Sequence, residues 1–191
     1  MIKHSLYAIT LGMVIFFLYL LQYTGAFKSI TLGIDDRGPY TMIYKEHKGA
    51  YHQIVSTIES VENWARTNGL KCRLSFGEYF DDPRLVEEGR LTSRGGCLVE
   101  TIEPTADIEQ KNLAKIKNKL PAEFKIEVYE KRKAVVVLFT GAPGIGPMKV
   151  YPKAEKYIQE QSLKKSGSIL EIYEVFAKNT MQTLYIWPIS K

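Results

Sequence analysis

The sequence predicts a domain of the α/β class, α+β in type: two pseudo-repeated strand-helix-strand-strand modules preceded by one transmembrane helix. Three observations lead there. Residues 5–27 carry no charged side chain; two stretches, about 39–102 and 124–190, repeat one order of elements; and the rest of the chain has the length of a single domain. Chains of about 150 residues already bury two-thirds or more of their unfolded surface, so residues 28–191 are read as one unit with its own core.

Residues 6–21 (LYAITLGMVIFFLYLL) are almost continuously apolar. A helix needs roughly 20 predominantly apolar residues to cross the hydrocarbon core, and residues 5–27 are long enough. The competing reading is a cleaved secretory signal, with Lys3 as the charged head and Thr24, Gly25 and Ala26 as the small-residue site. Signal cores run about 7–15 apolar residues, and Gln22 and Tyr23 make a poor approach to a cleavage site. Residues 1–27 are therefore taken as a single-pass N-terminal anchor, with Tyr19 and Tyr23 suited to the interfacial belt. Lys3 on one side and Lys28 and Arg37 on the other do not set which side receives the domain.

Residues 40–46 (YTMIYKE) read as a strand followed by a break at Gly49. Residues 51–68 place Ile54, Ile58, Val61, Trp64 and Ala65 at helical spacing and stop at Gly69. Residues 71–80 alternate Cys72, Leu74 and Phe76 against Arg73 and Ser75 before the Asp82-Pro83 turn, and residues 96–102 supply a further strand. The second module repeats the order: strand 133–140, a Gly/Pro loop, helix 150–163, then strands 168–176 and 183–189. Trp64 and Tyr157 stand late in the two helices, a small consistency that supports duplication. Between the modules, residues 105–120 read as a linker helix, with Thr105 or Asp107 as cap and Ile108, Leu113, Ile116 and Leu120 as a weak apolar stripe.

The net charge of +5 is spread along the chain, so it argues solubility before nucleic acid, and no nucleic-acid partner is expected. Lys111, Lys115, Lys117 and Lys119 form a basic run whose simplest reading is a solvated helix face, with anionic membrane lipid as the alternative partner. Cys72 and Cys97 are too few for a disulfide framework and are read as buried small hydrophobes that an oxidising compartment could join. His4, His47 and His52 are too scattered for a metal site, and neither metal nor cofactor is expected. The loop 141–149 (GAPGIGPMK) lies where phosphate loops occur, but Pro147 and Met148 replace the Lys and Ser or Thr of a Walker loop. It is read as a tight strand-to-helix connection.

The segment 169–176 (ILEIYEVF) carries more information. Alternation puts Leu170 and Ile172 on one face and Glu171 and Tyr173 on the other. If the first pair packs beneath the helices, Glu171 and Tyr173 point away from them. Tyr185 and Trp187 share a face of the neighbouring strand, and Tyr79 joins them from the first module. A carboxylate among aromatic rings suits an organic cation, because the rings add quadrupole attraction and the acid fixes charge and orientation. Desolvation of such an acid raises its pKa. The competing reading is a solvent-facing Glu171 among ordinary sheet-forming aromatics.

Residues 77–83 (GEYFDDP), 141–151, 170–173 (LEIY) and 184–189 (LYIWPI) together resemble the GyrI-like effector-binding family, over roughly residues 32–190. The resemblance implies two modules facing across a ligand groove, with Glu171 at the position of the central glutamate of members that bind amphiphilic cations. The N-terminal apolar segment, with Tyr44, Lys45, Gly49 and Tyr51, looks closer still to the membrane-anchored branch that includes the testis-expressed reticulophagy receptor. The long adaptor-binding tail of that receptor has no counterpart in this sequence, so receptor function is not carried over.

Function is accordingly expected to be small-molecule binding at a membrane, with Glu171, Tyr173, Tyr79, Tyr185 and Trp187 contacting a small amphiphilic ligand. The alternative is a membrane protein-interaction or assembly subunit with a vestigial groove and a membrane protein partner. A hydrolase using Glu171 as general base ranks third, since it needs an attacking water the sequence does not provide.

Overall fold

The computed structural model describes residues 2–99, 116–142, 144–177 and 180–190. In chain order the elements are α1 (Ile2–Tyr23), β1 (Leu32–Arg37), β2 (Tyr40–Lys48), α2 (Ile54–Thr67), β3 (Leu74–Tyr79) and β4 (Thr92–Val99), then β5 (Phe124–Tyr129), β6 (Arg132–Thr140), α3 (Ile145–Glu160), β7 (Lys164–Lys165), β8 (Ile169–Ala177) and β9 (Thr180–Ser190). The fold is α+β, with an antiparallel sheet in the order β1-β6-β9-β8-β3-β4-β2-β5 and β7 on β9. Each module reads strand, helix, strand, strand, and β3 and β8 join the two at the centre.

Two short connections shape the sheet. Residues 38–39 join β1 to β2 and residues 130–131 join β5 to β6, although each pair of strands lies toward opposite ends of the strand order. Two residues span only about 7 Å, so the sheet curls until its ends meet. At the meeting point Tyr40 stacks on Tyr129 at 6.0 Å, and a Cβ on Gly38 would lie 3.1 Å from two carbonyl oxygens. Inside the curl Met42, Phe76, Tyr129, Ala134, Leu170, Ile172 and Ile186 form one core. The helices cover the outside: α3 sets Val150, Ala154 and Ile158 on Val135, Val137 and Trp187, while α2 sets Val61 on Ile43.

This arrangement decides the face of β8 that the sequence left conditional, against the condition that Leu170 and Ile172 pack beneath the helices. Leu170 and Ile172 line the inside of the curl, and Glu171 and Tyr173 face the helices. Both faces of the strand are buried, so alternation separates them without saying which one the helices cover.

Other departures have local causes. Strand β4 begins at Thr92 rather than Gly96 and runs through Gly95 and Gly96. These glycines allow close approach: a Cβ on Gly95 would lie 2.8 Å from the Ile58 side chain, and one on Gly96 2.0 Å from the Ile43 carbonyl. Helix α3 starts at Ile145, so the later part of the 141–149 loop is its first turns. Cys72 lies just outside β3 and is joined to Cys97 by a disulfide, the pairing that the sequence left open beside the default of two buried small hydrophobes. Of the linker helix, residues 105–115 lie outside the described residues; Ile116 and Leu120 pack beside Val61 and Phe124.

Helix α1 forms where the anchor was expected. Its large apolar side chains at residues 6, 7, 9, 11 and 13–19 are each at least 50% exposed. The unbroken run of described side chains in α1 covers residues 9–23, and among the described residues no helix is long and apolar enough to cross a membrane.

Candidate ligand-binding site

Glu171 lies in β8, a central strand flanked by β3 and β9. Its register partners are Gly77 on one side and Tyr185 on the other. Directly opposed residues share a face, so Gly77 leaves a gap beside the carboxylate. A Cβ there would lie 2.7 Å from the Tyr79 hydroxyl and 3.1 Å from that of Tyr173. The missing side chain is what lets both phenols converge on Glu171.

The Tyr173 hydroxyl donates to Glu171 Oε2 at 3.0 Å, and the Tyr151 hydroxyl donates to Oε1 at 2.6 Å. The Tyr79 and Tyr173 hydroxyls are 2.8 Å apart. A phenol has one proton, so with Tyr173 donating to the carboxylate, Tyr79 donates to Tyr173. The rings build the walls: Tyr185 stacks on Trp187 at 6.0 Å, and Tyr151 meets both edge-on at 6.0 and 5.3 Å. Tyr51 closes on Tyr79 at 4.8 Å and anchors itself by donating to the Asp81 carbonyl at 2.9 Å. Gly146 of α3 fits under Tyr185, whose hydroxyl would be 2.0 Å from a Cβ at that position.

The electrostatics follow from burial. Glu171 is only 5% exposed. Desolvation pushes its pKa up to about 7, against the two phenol hydrogen bonds that pull it down. Tyr151 and Tyr173 are held well above the ordinary phenol range, by burial first and then by the neighbouring carboxylate. Among the described residues, no cation pairs with Glu171.

The inner face of the sheet treats its buried acid differently. Glu78, 2% exposed, accepts from Arg94 Nε at 2.6 Å and from Ser168. Arg94 also pairs with Glu127 at 2.6 Å and lies 4.7 Å over the Tyr44 ring. Two buried glutamates on neighbouring strands thus have opposite surroundings: one is neutralised by a guanidinium, the other only hydrogen-bonded by phenols.

All five residues singled out in the sequence meet here: Glu171, Tyr173, Tyr79, Tyr185 and Trp187. Sequence reasoning missed Tyr151 and Tyr51. Tyr151 follows Val150, which with Ala154 and Ile158 forms the buried stripe of α3, and a tyrosine flanking such a stripe is the available signal. The phenols of Tyr151 and Tyr173 occupy the space over the carboxylate. A cavity of about 320 Å³ lies apart from this cluster, lined by Thr31, Gly33, Val136, Leu138 and Leu184 among others. Among the described residues no group of three or more His, Cys, Asp or Glu is placed to hold a metal ion.

No protein-family model and no curated protein matches the chain. Solved structures do. EcmrR in its DNA complex is 13% identical, with 98% of this chain covering 68% of that one at a TM-score of 0.63. The isolated EcmrR C-terminal domain is also 13% identical, with 85% of this chain covering 98% of it, again at 0.63. An uncharacterised conserved protein from Listeria innocua is 13% identical over 89% of this chain and 98% of its own, at 0.51. At these identities the likeness is one of fold, the α+β fold of GyrI-like effector-binding domains.

Proposed function

We propose that this protein is a membrane-tethered binding module for a small, largely apolar, cationic ligand, with Glu171 as counter-charge. The observation that carries the reading is the buried carboxylate of Glu171, ringed by Tyr79, Tyr151, Tyr173, Tyr185 and Trp187 and paired with no cation among the described residues. An ion held in a low-dielectric site costs several kcal/mol unless compensated. A bound cation supplies that compensation, while the aromatic faces add about 2 kcal/mol when desolvated. Ligand entry requires the Tyr151 and Tyr173 phenols to swing off the carboxylate.

Anchoring by α1 belongs to the same proposal. A helix apolar on all sides, with its large apolar side chains at residues 6, 7, 9, 11 and 13–19 exposed, has no partner among the described residues to cover it, and a bilayer is the solvent such a surface fits.

Titration of the protein with tetraphenylphosphonium, a delocalised apolar cation, while following tryptophan fluorescence tests the binding claim. Saturable binding lost in Glu171→Gln supports it; equal binding by both proteins overturns the role of Glu171. Sedimentation with lipid vesicles tests the anchor: retention of the full chain and release on deleting residues 1–27 is the expected result.

The filling of the site by its own phenols favours a second reading, an assembly subunit whose groove takes no ligand. Co-purification in mild detergent separates the two, since a stoichiometric protein partner together with absent cation binding selects the second.

A further inference from the structure

We infer that the joint between α1 and α3 rests against the lipid headgroup layer, so that the Glu171 pocket is loaded with amphiphilic cations from the membrane rather than from bulk water. The inference rests on the anchor reading above and adds to it an orientation and a route.

The end of α1 is built into the second module. The Thr24 carbonyl accepts from the Ala142 N–H at 3.0 Å. Lys149 Nζ donates to the Ala26 carbonyl and, at 3.4 Å, to that of Gly25. A Cβ on Gly25 would lie 3.1 Å from the Thr140 carbonyl oxygen, and one on Gly141 2.7 Å from that of Thr24. Backbone meets backbone here, with a lysine on carbonyls at the negative end of the helix. The direction of α1 therefore fixes the direction of the domain.

The surface around the joint has the composition of an interfacial belt. Tyr23 is 55% exposed, Phe27 62% and Met148 77%, and two lysines are exposed with them: Lys28, which follows Phe27, and Lys153, one helical turn after Lys149. Headgroups add roughly 5–7 Å on each side of the hydrocarbon core, so residues bordering the end of a spanning helix lie within that layer. Aromatic rings and lysines with apolar stems are the side chains it accepts.

The same stretch of α3 forms a wall of the pocket. Gly146 abuts Tyr185, Lys149 holds α1, and Tyr151 caps Glu171. From Gly146 to Tyr151 a helix advances only about 8 Å. A cation enriched among headgroups therefore reaches Tyr151 without crossing the bulk phase.

The test uses the full chain reconstituted into phosphatidylcholine vesicles with and without phosphatidylserine. Cys72 and Cys97 are joined, and no other cysteine competes for a label. A nitroxide at Met148→Cys is compared with one at Val55→Cys on α2, a position 55% exposed. The expected result is several-fold fewer collisions with a water-soluble nickel chelate at position 148 than at 55, and more with oxygen. Retention in vesicles with equal nickel access at both positions overturns the docking while leaving the anchor standing. A chain that stays in the supernatant overturns both. The route has its own arm. With tetraphenylphosphonium preloaded in the vesicles, Met148→Asp should slow loading several-fold while leaving affinity in detergent unchanged, and an unchanged loading rate overturns entry from the membrane.

Discussion

Replacing Glu171 with glutamine keeps the size of the side chain and removes its charge, so its effect on stability depends on pH in a way the structure specifies. Burial raises the pKa of Glu171 from 4.5 to about 7 on folding. Between those values the folded chain holds a proton that the unfolded chain has released. Stability of the unliganded protein therefore falls as pH rises from about 4.5 to 7, then levels off. At 1.36 kcal/mol per pKa unit the loss is about 3 kcal/mol. Glu171→Gln cannot ionise and does not lose it. The two proteins should unfold at similar guanidinium concentrations at pH 5, with the variant more stable by up to about 3 kcal/mol at pH 8. In a chain of this size each kcal/mol moves the melting temperature by about 2–4 °C, so the gap at pH 8 is measurable by near-ultraviolet circular dichroism in mild detergent. An identical difference at both pH values, or a wild type that gains stability between them, would refute the reasoning.

Further outcomes follow from the same geometry. Tyr151→Phe removes a donor to the carboxylate; hydrogen bonds to charged groups contribute about 1.5–3 kcal/mol, so the loss should show at pH 8 in guanidinium unfolding and largely vanish at pH 5. Gly146→Ala drives a Cβ into the Tyr185 hydroxyl; overpacking of about 1–3 kcal/mol should accompany a shift in Trp187 emission. Gly144→Ala, where a Cβ meets nothing within 4 Å, should leave emission unchanged.

Much of the sheet was legible because its central strands obey simple chemistry. The alternation of Leu170, Glu171, Ile172 and Tyr173 survives in the folded chain, with Glu171 opposite Tyr185, and the aromatic face of Tyr185 and Trp187 survives as a stacked pair. Which face the helices cover could be written only as a condition, and the structure takes the other branch, since a curled sheet buries Leu170 inside and Glu171 outside alike. Strands β1 and β5 went unread because their partners, β6 and β2, lie far along the chain, and segments such as LGIDDR have little β character of their own. The start of β4 was misplaced because Gly95 and Gly96 look like a break, whereas they mark where α2 and β2 come close. Tyr151 was missed because a helix pattern shows a buried stripe more clearly than the side chain flanking it. The pairing of Cys72 with Cys97 depends on a Cα separation of 5.7 Å that sequence spacing does not reveal.

The account turns on an ionised Glu171 meeting a cation. Its most direct test is the affinity for tetraphenylphosphonium, measured by isothermal titration of wild type and Glu171→Gln from pH 5 to pH 8. With a pKa of about 7 in the free protein, only about 1% of the carboxylate is ionised at pH 5. Affinity of the wild type should rise about 100-fold between pH 5 and 8 with proton release on binding, while the variant binds weakly and without pH dependence. Binding that is flat with pH in the wild type, or equally tight in Glu171→Gln, would contradict it.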